Sequence, residues 1–266
     1  MSFATTIKFD PSDLATATAD FRDAMKHHRV VRLVPTAPIP GGNDEGNLRS
    51  FYDTFLETAG TPVNAGEAYD QDGAPDGERW SQIRYDADVP DDVAFRHSKN
   101  AQPLHTDESY VSDTTGVMFF FCINRAPSGG ETIFIDGPDL VATLETNRPD
   151  LLERLTSMDV TYEKAGDSRT QPIISLRGDA PPLLNFNYYC ADPSQPADSL
   201  ALNEEFFQFI QNDLDPARVL ALPLNPGEAL AWDDRHLLHG RNSFTAHQTN
   251  DRHILKAGLI LEGVNS

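Results

Sequence analysis

The chain has 266 residues, 39% of them hydrophobic and 9% aromatic, enough apolar material for one sizeable core. It carries 21 Lys and Arg against 41 Asp and Glu, a formal net charge of −20, which argues against nucleic acid or an anionic membrane as a partner. There is no apolar run of about 18 residues and no signal-like start, and the two cysteines, Cys122 and Cys190, read as buried thiols, so the expected compartment is the cytoplasm.

Ser12 or Asp13, followed by Leu14, Ala17, Phe21 and Met25 at helical spacing, predicts a capped amphipathic helix over 12–28. The β-branched run 30–34, closed by Pro35, predicts a strand, and the Pro- and Gly-rich 35–46 a loop. A second helix is expected over 47–59, with Leu48, Phe51, Phe55 and Leu56 inward. The segment 64–79 is rich in Gly, Asp and Ala and has no period. It reads as surface loop, with an active-site lid as the alternative.

From residue 80 onward short apolar segments alternate with turn signals, the pattern of an all-β sandwich or barrel. The run 117–123 is apolar throughout, as a strand buried on both faces would be. A turn at 126–130 precedes a strand at 131–135, and 138–156 reads as helical, with Pro149 opening its second helix. Strands are expected at 158–163, 172–177 and 183–190, a helix at 203–213, and strands at 218–224, 228–232, 236–239 and 254–261. With no repeat or linker, the chain reads as one domain over 1–266. Residues 1–62 are N-terminal support, 80–262 a β core, and about 138–156 a helical insertion.

The stretch 102–110 holds His105 and Asp107, two residues apart. On a strand, i and i+2 share a face, so imidazole and carboxylate would stand side by side. They supply two-thirds of the 2-His-1-carboxylate set that holds non-haem Fe(II) with open positions. His-x-Asp is also common in solvated loops, so the reading needs a second histidine and an anion-binding arginine. His236 and His239 are the candidates for the first. A helical His-x-x-His zinc half-site is disfavoured by Gly227 and the strand-like 228–232. His239 lies 134 residues after His105, so only the tertiary fold can join them, as facing strands of a jelly roll do. Arg252, 13 residues beyond His239, offers a planar fork for a cosubstrate carboxylate, and Thr132 a hydroxyl. Taken singly, they would be a surface ion-pairing arginine and an ordinary strand threonine.

Four elements, His105-Thr-Asp107, Gly129-Gly-Glu-Thr132, Trp232-Asp-Asp-Arg with His239-Gly-Arg241, and Asp251-Arg252-His-Ile-Leu-Lys256, carry a family resemblance. In order and spacing they resemble the Fe(II)/2-oxoglutarate dioxygenases of the taurine dioxygenase and clavaminate synthase-like group, over roughly residues 30–262. The resemblance implies a mainly β fold with flanking helices, the double-stranded β-helix or cupin-like jelly roll. It makes His105, Asp107 and His239 the catalytic iron ligands and selects His239 over His236. It gives Thr132 and Arg252 the distal carboxylate of 2-oxoglutarate. Fe(II) would be the cofactor, with 2-oxoglutarate and O₂ as cosubstrates.

The reaction implied is oxidation, chiefly hydroxylation, of a C–H bond in a small polar metabolite, an amino acid or other anionic compound, releasing succinate and CO₂. Desaturation and ring closure stay open on the same machinery. Halogenation is disfavoured, because halogenating relatives lack the carboxylate ligand that Asp107 provides. Two departures stand out. Asp233-Asp234 replaces the family's common Asp-Asn, which is expected to alter a hydrogen bond behind the iron ligands. Lys256 stands where taurine dioxygenase has a sulfonate-binding arginine, keeping the charge without the fork.

Tyr110 and Lys256 are the candidate substrate contacts, with a solvated strand-end lysine as the alternative for the second. Glu108 would point away from Asp107 on an extended segment and is given no metal role. A metal-dependent cupin-like isomerase or lyase and a non-catalytic jelly-roll binding protein are the rival readings. Neither needs the dicarboxylate anchor that Arg252 and Thr132 would form. The partner expected is a small-molecule substrate, and a homo-oligomer is left open.

Overall fold

The structure, a computed structural model, describes residues 2–63, 79–92, 94–112 and 114–264. All of the expected loop or lid at 64–79 except its last residue lies outside the described residues. The chain opens on a strand that the sequence reading passed over, β1 (Ala4–Phe9), which pairs in parallel with β2 (Val30–Pro35). Helix α1 (Leu14–His27) joins the two. Asp13 caps it, accepting from the Thr16 amide at 3.1 Å, while Ser12 does not. Asp44 caps α2 (Glu45–Ala59) in the same way, and the chain then enters the short β3 (Thr61–Val63).

After β4 (Ser81–Arg84) come β5 (Gln102–His105), β6 (Val117–Asn124), β7 (Ser128–Gly129) and β8 (Thr132–Asp136). Helices α3 (Gly137–Asn147) and α4 (Pro149–Ser157) follow, the latter with Pro149 in its first turn as expected. Strands β9 (Asp159–Lys164), β10 (Asp167–Pro172), β11 (Ile174–Arg177) and β12 (Ala180–Leu184) make two hairpins before α5 (Ala197–Asn212). The last strands are β13 (Leu220–Leu222), β14 (Ala229–Asp233), β15 (Leu237–Arg241), β16 (Phe244–Thr245) and β17 (His253–Ile260).

Three expectations shift. The strand expected at 183–190 stops at Leu184, and Tyr188–Cys190 is a 3₁₀ turn. The strand at 172–177 is split between β10 and β11. Helix α5 starts at Ala197, ahead of the expected 203, because its opening turns bury Ser199, Leu202 and Asn203 and so lack the dense apolar spacing of Phe206, Phe209 and Ile210.

The larger sheet runs β1-β2-β14-β6-β17-β3, with β4 also paired to β17; the smaller runs β13-β8-β15-β5. Sequence-distant strands alternate between these facing sheets, which makes the fold a jelly roll with flanking helices. Strand β6 divides two cores. Val117, Phe119, Phe121 and Ile123 face α1 and α2, whereas Met118, Phe120 and Cys122 face inward toward Phe134, Trp232 and Leu237. A third core lies between the smaller sheet and α3–α5, built on Leu140, Leu144, Leu151 and Phe206. Neither Cys122 nor Cys190 is in a disulfide, and the first is buried. Among the described residues no helix is long and apolar enough to cross a membrane.

Candidate active site

His105 is the last residue of β5, and the chain leaves the strand before Asp107. The two side chains are therefore brought together by a turn, not by a shared strand face as the two-residue spacing suggested. Thr106 pins that turn. Its amide and hydroxyl donate to the Phe186 carbonyl at 2.7 and 3.3 Å. Glu108, expected on the far face of an extended segment, closes the same turn by accepting from the Thr115 amide at 2.6 Å and hydroxyl at 2.7 Å. Burial pushes its carboxyl pKa up to about 7.

His239 lies in β15, in register with His105 on β5, and their ring centroids are 4.3 Å apart. Gly240 permits this approach, since a Cβ there would meet the Gln102 carbonyl oxygen at 2.6 Å. Asp107 sits between the rings, with Oδ1 3.5 Å from His105 Nε2 and Oδ2 3.5 Å from His239 Nε2. All three side chains are buried, and one potential ligand atom from each lies within 4.8 Å of the others. His236 lies in the turn between β14 and β15, not on a strand, with Nδ1 2.8 Å from the Pro182 carbonyl and outside this cluster.

The donor set fits a divalent metal. His105 Nδ1 lies 2.8 Å from the Pro103 carbonyl, so that nitrogen carries the proton and Nε2 keeps its lone pair toward the cluster. The Gln102 amide approaches that lone pair at 3.1 Å. Behind His239, Nδ1 is 3.0 Å from Asp234 Oδ1. Lys256 Nζ is 2.8 Å from Asp107 Oδ2. Burial alone would raise the Asp107 carboxyl, but Lys256, His239 and His105 outweigh it and hold the pKa well below the usual carboxylate range. Burial likewise opposes the imidazolium of His239, yet Asp107 and Asp234 hold its pKa above the ordinary 6.5.

The cluster forms one wall of a cavity of about 450 Å³. Along β17, Ile254 faces the inter-sheet core while Leu255, Ala257 and Leu259 face the helices. Arg252, one residue before β17, and Lys256, within it, both line the cavity. Lys256 is 1% exposed, so the solvated strand-end reading does not hold. Arg252 is 3% exposed and lines the cavity together with Thr132. Its Nε–H donates to the Gly130 carbonyl at 3.3 Å, and its guanidinium stacks over Phe244 at 5.5 Å. Among the described residues no carboxylate forms an ion pair with it; Glu131 is turned to the Asn242 amide. Burial pushes the guanidinium pKa down to about 10, which leaves it cationic at neutral pH. A buried cation facing a cavity, with no ion-paired carboxylate among the described residues, fits an anionic ligand.

Tyr110 lies elsewhere, packed in the core beneath the smaller sheet and absent from the cavity lining. The sequence reading did not single out Phe95, Tyr188 and Tyr189, which line the cavity. Tyr188 and Tyr189 fall within the strand expected at 183–190, and the 3₁₀ turn that replaces its end presents them to the cavity. Arg241, quoted only as part of a motif, donates to the carbonyls of Phe95, Ser98 and Asn100 at 3.0, 3.0 and 2.6 Å, fixing the segment that brings Phe95 to the cavity.

The sequence model of the taurine catabolism dioxygenase TauD, TfdA family matches residues 2–257. The chain belongs to that family. Among curated relatives in the family's range of similarity, the human gamma-butyrobetaine dioxygenase is 26% identical over 273 residues, covering 91% of this chain and 63% of its own. Trimethyllysine dioxygenase of Meyerozyma guilliermondii is 28% identical over 154 residues, covering 53% of this chain and 38% of its own. The chain thus spans less than two thirds of either. An asparagine oxygenase, solved with Fe(II), 2S,3S-3-hydroxyasparagine and succinate, superposes with a TM-score of 0.64 at 16% identity, covering 94% of this chain and 80% of its own. That likeness is one of fold.

Proposed function

We propose that this chain is an Fe(II)- and 2-oxoglutarate-dependent oxygenase that hydroxylates a C–H bond of a small, polar, amino-acid-like metabolite. The observation that carries the reading is one cavity with two unlike walls: the buried His105, Asp107 and His239 cluster, and the buried Arg252 with Thr132. An isomerase or lyase using the same donors has no need of the second wall.

In this reading His105 Nε2, His239 Nε2 and Asp107 would hold the metal at the cavity wall. Arg252 takes the far carboxylate of 2-oxoglutarate through its paired N–H groups, and the Thr132 hydroxyl supports the same oxygens. When bound, Fe(II) with 2-oxoglutarate and O₂ supplies the oxidising equivalent, and succinate and CO₂ are released. The protein contributes position and exclusion of water: Phe120 and the pinned Phe95 segment wall the reacting space. Membership of the TauD, TfdA family and the likeness to trimethyllysine, gamma-butyrobetaine and asparagine oxygenases support an amino-acid-like substrate.

Anaerobic titration of the Fe(II)-loaded protein with 2-oxoglutarate tests the reading. A metal-to-ligand charge-transfer band that saturates is expected; no band in the intact protein would sink it. Succinate formation across a panel of amino acids and betaines would then identify the substrate.

A further inference from the structure

Asp234 occupies the position at which the family resemblance places an asparagine, and its surroundings ask for a carboxylate. It is 3% exposed, and its own amide donates to the Gly116 carbonyl at 2.8 Å, which fixes its place at the end of β14. Its two oxygens face different donors. Oδ1 accepts from Trp232 Nε1–H at 2.9 Å, and Oδ2 accepts from the Asp107 amide at 2.7 Å. Oδ1 also lies 3.0 Å from His239 Nδ1, at an oblique angle short of good hydrogen-bond geometry. Trp232 in turn packs its ring against His239, with centroids 4.8 Å apart.

We infer that Asp234 is a positioning residue for the metal site, joining the backbone of one ligand to the ring of another, and that an asparagine cannot replace it in this chain. The inference rests on the proposed metal site and deepens it. A carboxylate accepts at both oxygens, whereas a primary amide accepts at one and donates at the other. With asparagine, the NH₂ must face either the Asp107 amide or the Trp232 indole N–H beside His239 Nδ1. In the first orientation the Asp107 N–H is left buried and opposed by a donor, so the turn carrying that ligand shifts. In the second, the imidazole is driven toward the tautomer with its proton on Nε2, which cannot ligate. Either way the donor set loses its geometry while the fold keeps its cores.

The test measures metal affinity and needs no turnover. Co(II) titration of the intact chain, read by its visible absorption, is compared for the wild type, Asp234→Asn and Asp233→Asn. Asp233 serves as the neighbour control, because its carboxylate is engaged by Arg235 at 3.0 to 3.2 Å and it touches no proposed ligand. We expect Asp234→Asn to bind Co(II) about 10- to 100-fold more weakly, the usual effect of losing a partner behind a ligand. Asp233→Asn should bind as the wild type does. Equal affinity in Asp234→Asn, or equal weakening in Asp233→Asn, overturns the inference while leaving the metal site standing. Failure of the wild type to bind Co(II) would overturn the site itself and this inference with it. Should Asp234→Asn not fold, nitrogen-15 spectra of the histidine rings in the metal-free wild type, at a pH where the rings are neutral, decide, because there no metal on Nε2 fixes the tautomer. A proton on His239 Nδ1 is expected, and a proton on Nε2 overturns the inference.

Discussion

Arg252 separates the oxygenase reading from other uses of this fold. Its guanidinium is buried, faces the cavity and has no carboxylate partner among the described residues, so an incoming carboxylate would meet a preformed, partly desolvated counter-charge. Removing one side of such a pair costs about 2–5 kcal/mol, a roughly 30-fold to several-thousand-fold loss of affinity. Arg252→Ala should weaken 2-oxoglutarate by that factor in the anaerobic titration and leave Fe(II) affinity nearly intact. Thr132→Ala should weaken it more mildly, since a hydroxyl is lost and no charge. The two histidines of β15 and its preceding turn give a second contrast. His239→Ala should lose Fe(II), whereas His236→Ala, whose ring faces the Pro182 carbonyl, should keep it. The reverse pattern in a metal-binding assay would transfer the ligand role to His236.

At the scale of elements, two glycines place side chains that cannot place themselves. Gly130 has φ +75°, and a Cβ there would meet the Arg252 guanidinium stem at 3.1 to 3.2 Å while the same residue's carbonyl accepts from Arg252 Nε. Gly130→Ala would therefore incur left-handed strain and push the anchor aside together. We expect 2-oxoglutarate affinity to fall by at least tenfold, with Fe(II) affinity unchanged. Gly240→Ala should do the converse, since a Cβ against the Gln102 carbonyl prises β15 from β5 and parts His239 from His105. Metal titration of both variants separates the two effects. The order of motifs in the sequence made these ends of the cavity legible, because each motif lies in or beside a strand of the β core, with His105 closing β5, Thr132 opening β8, His239 within β15 and Arg252 just before β17. The joining of His105 to Asp107 was misread, because a two-residue spacing looks alike on a strand and across a turn. Tyr110, expected as a substrate contact, lies in the core beneath the smaller sheet and outside the cavity lining, a placement that follows from the turn after Thr106. Strand β1 went unread because Ala4, Thr5 and Thr6 show little apolar alternation, and it is held instead by its parallel pairing to β2.

Across the whole molecule, β6 separates stability from chemistry by its two-residue period. Phe119 points toward the helices and is flanked in register by Ala231 and Ala257, whose small side chains leave the space its ring fills. There it meets Phe21, Tyr52, Phe55 and Trp80 at centroid distances of 6.2, 5.6, 6.0 and 6.4 Å. Phe120, one residue on, points the other way, packs edge-on to Trp232 at 4.6 Å and lines the cavity. Truncating either ring leaves a void in a packed interior, at a cost of about 3–5 kcal/mol. For a chain of this size that corresponds to a fall in melting temperature of roughly 6–20 °C. The consequences for the site differ. Phe119→Ala should lower the melting temperature by that amount and, below the transition, bind Fe(II) and 2-oxoglutarate as the wild type does, because Phe119 belongs to the helix-side core and does not line the cavity. Phe120→Ala should lower the melting temperature comparably and also loosen Trp232, the residue that packs on His239, so that Fe(II) affinity falls as well. Thermal melts paired with metal titrations on the folded variants check both expectations. Equal loss of metal affinity in the two would mean that the helix-side core and the site are coupled through β6, not separated by it.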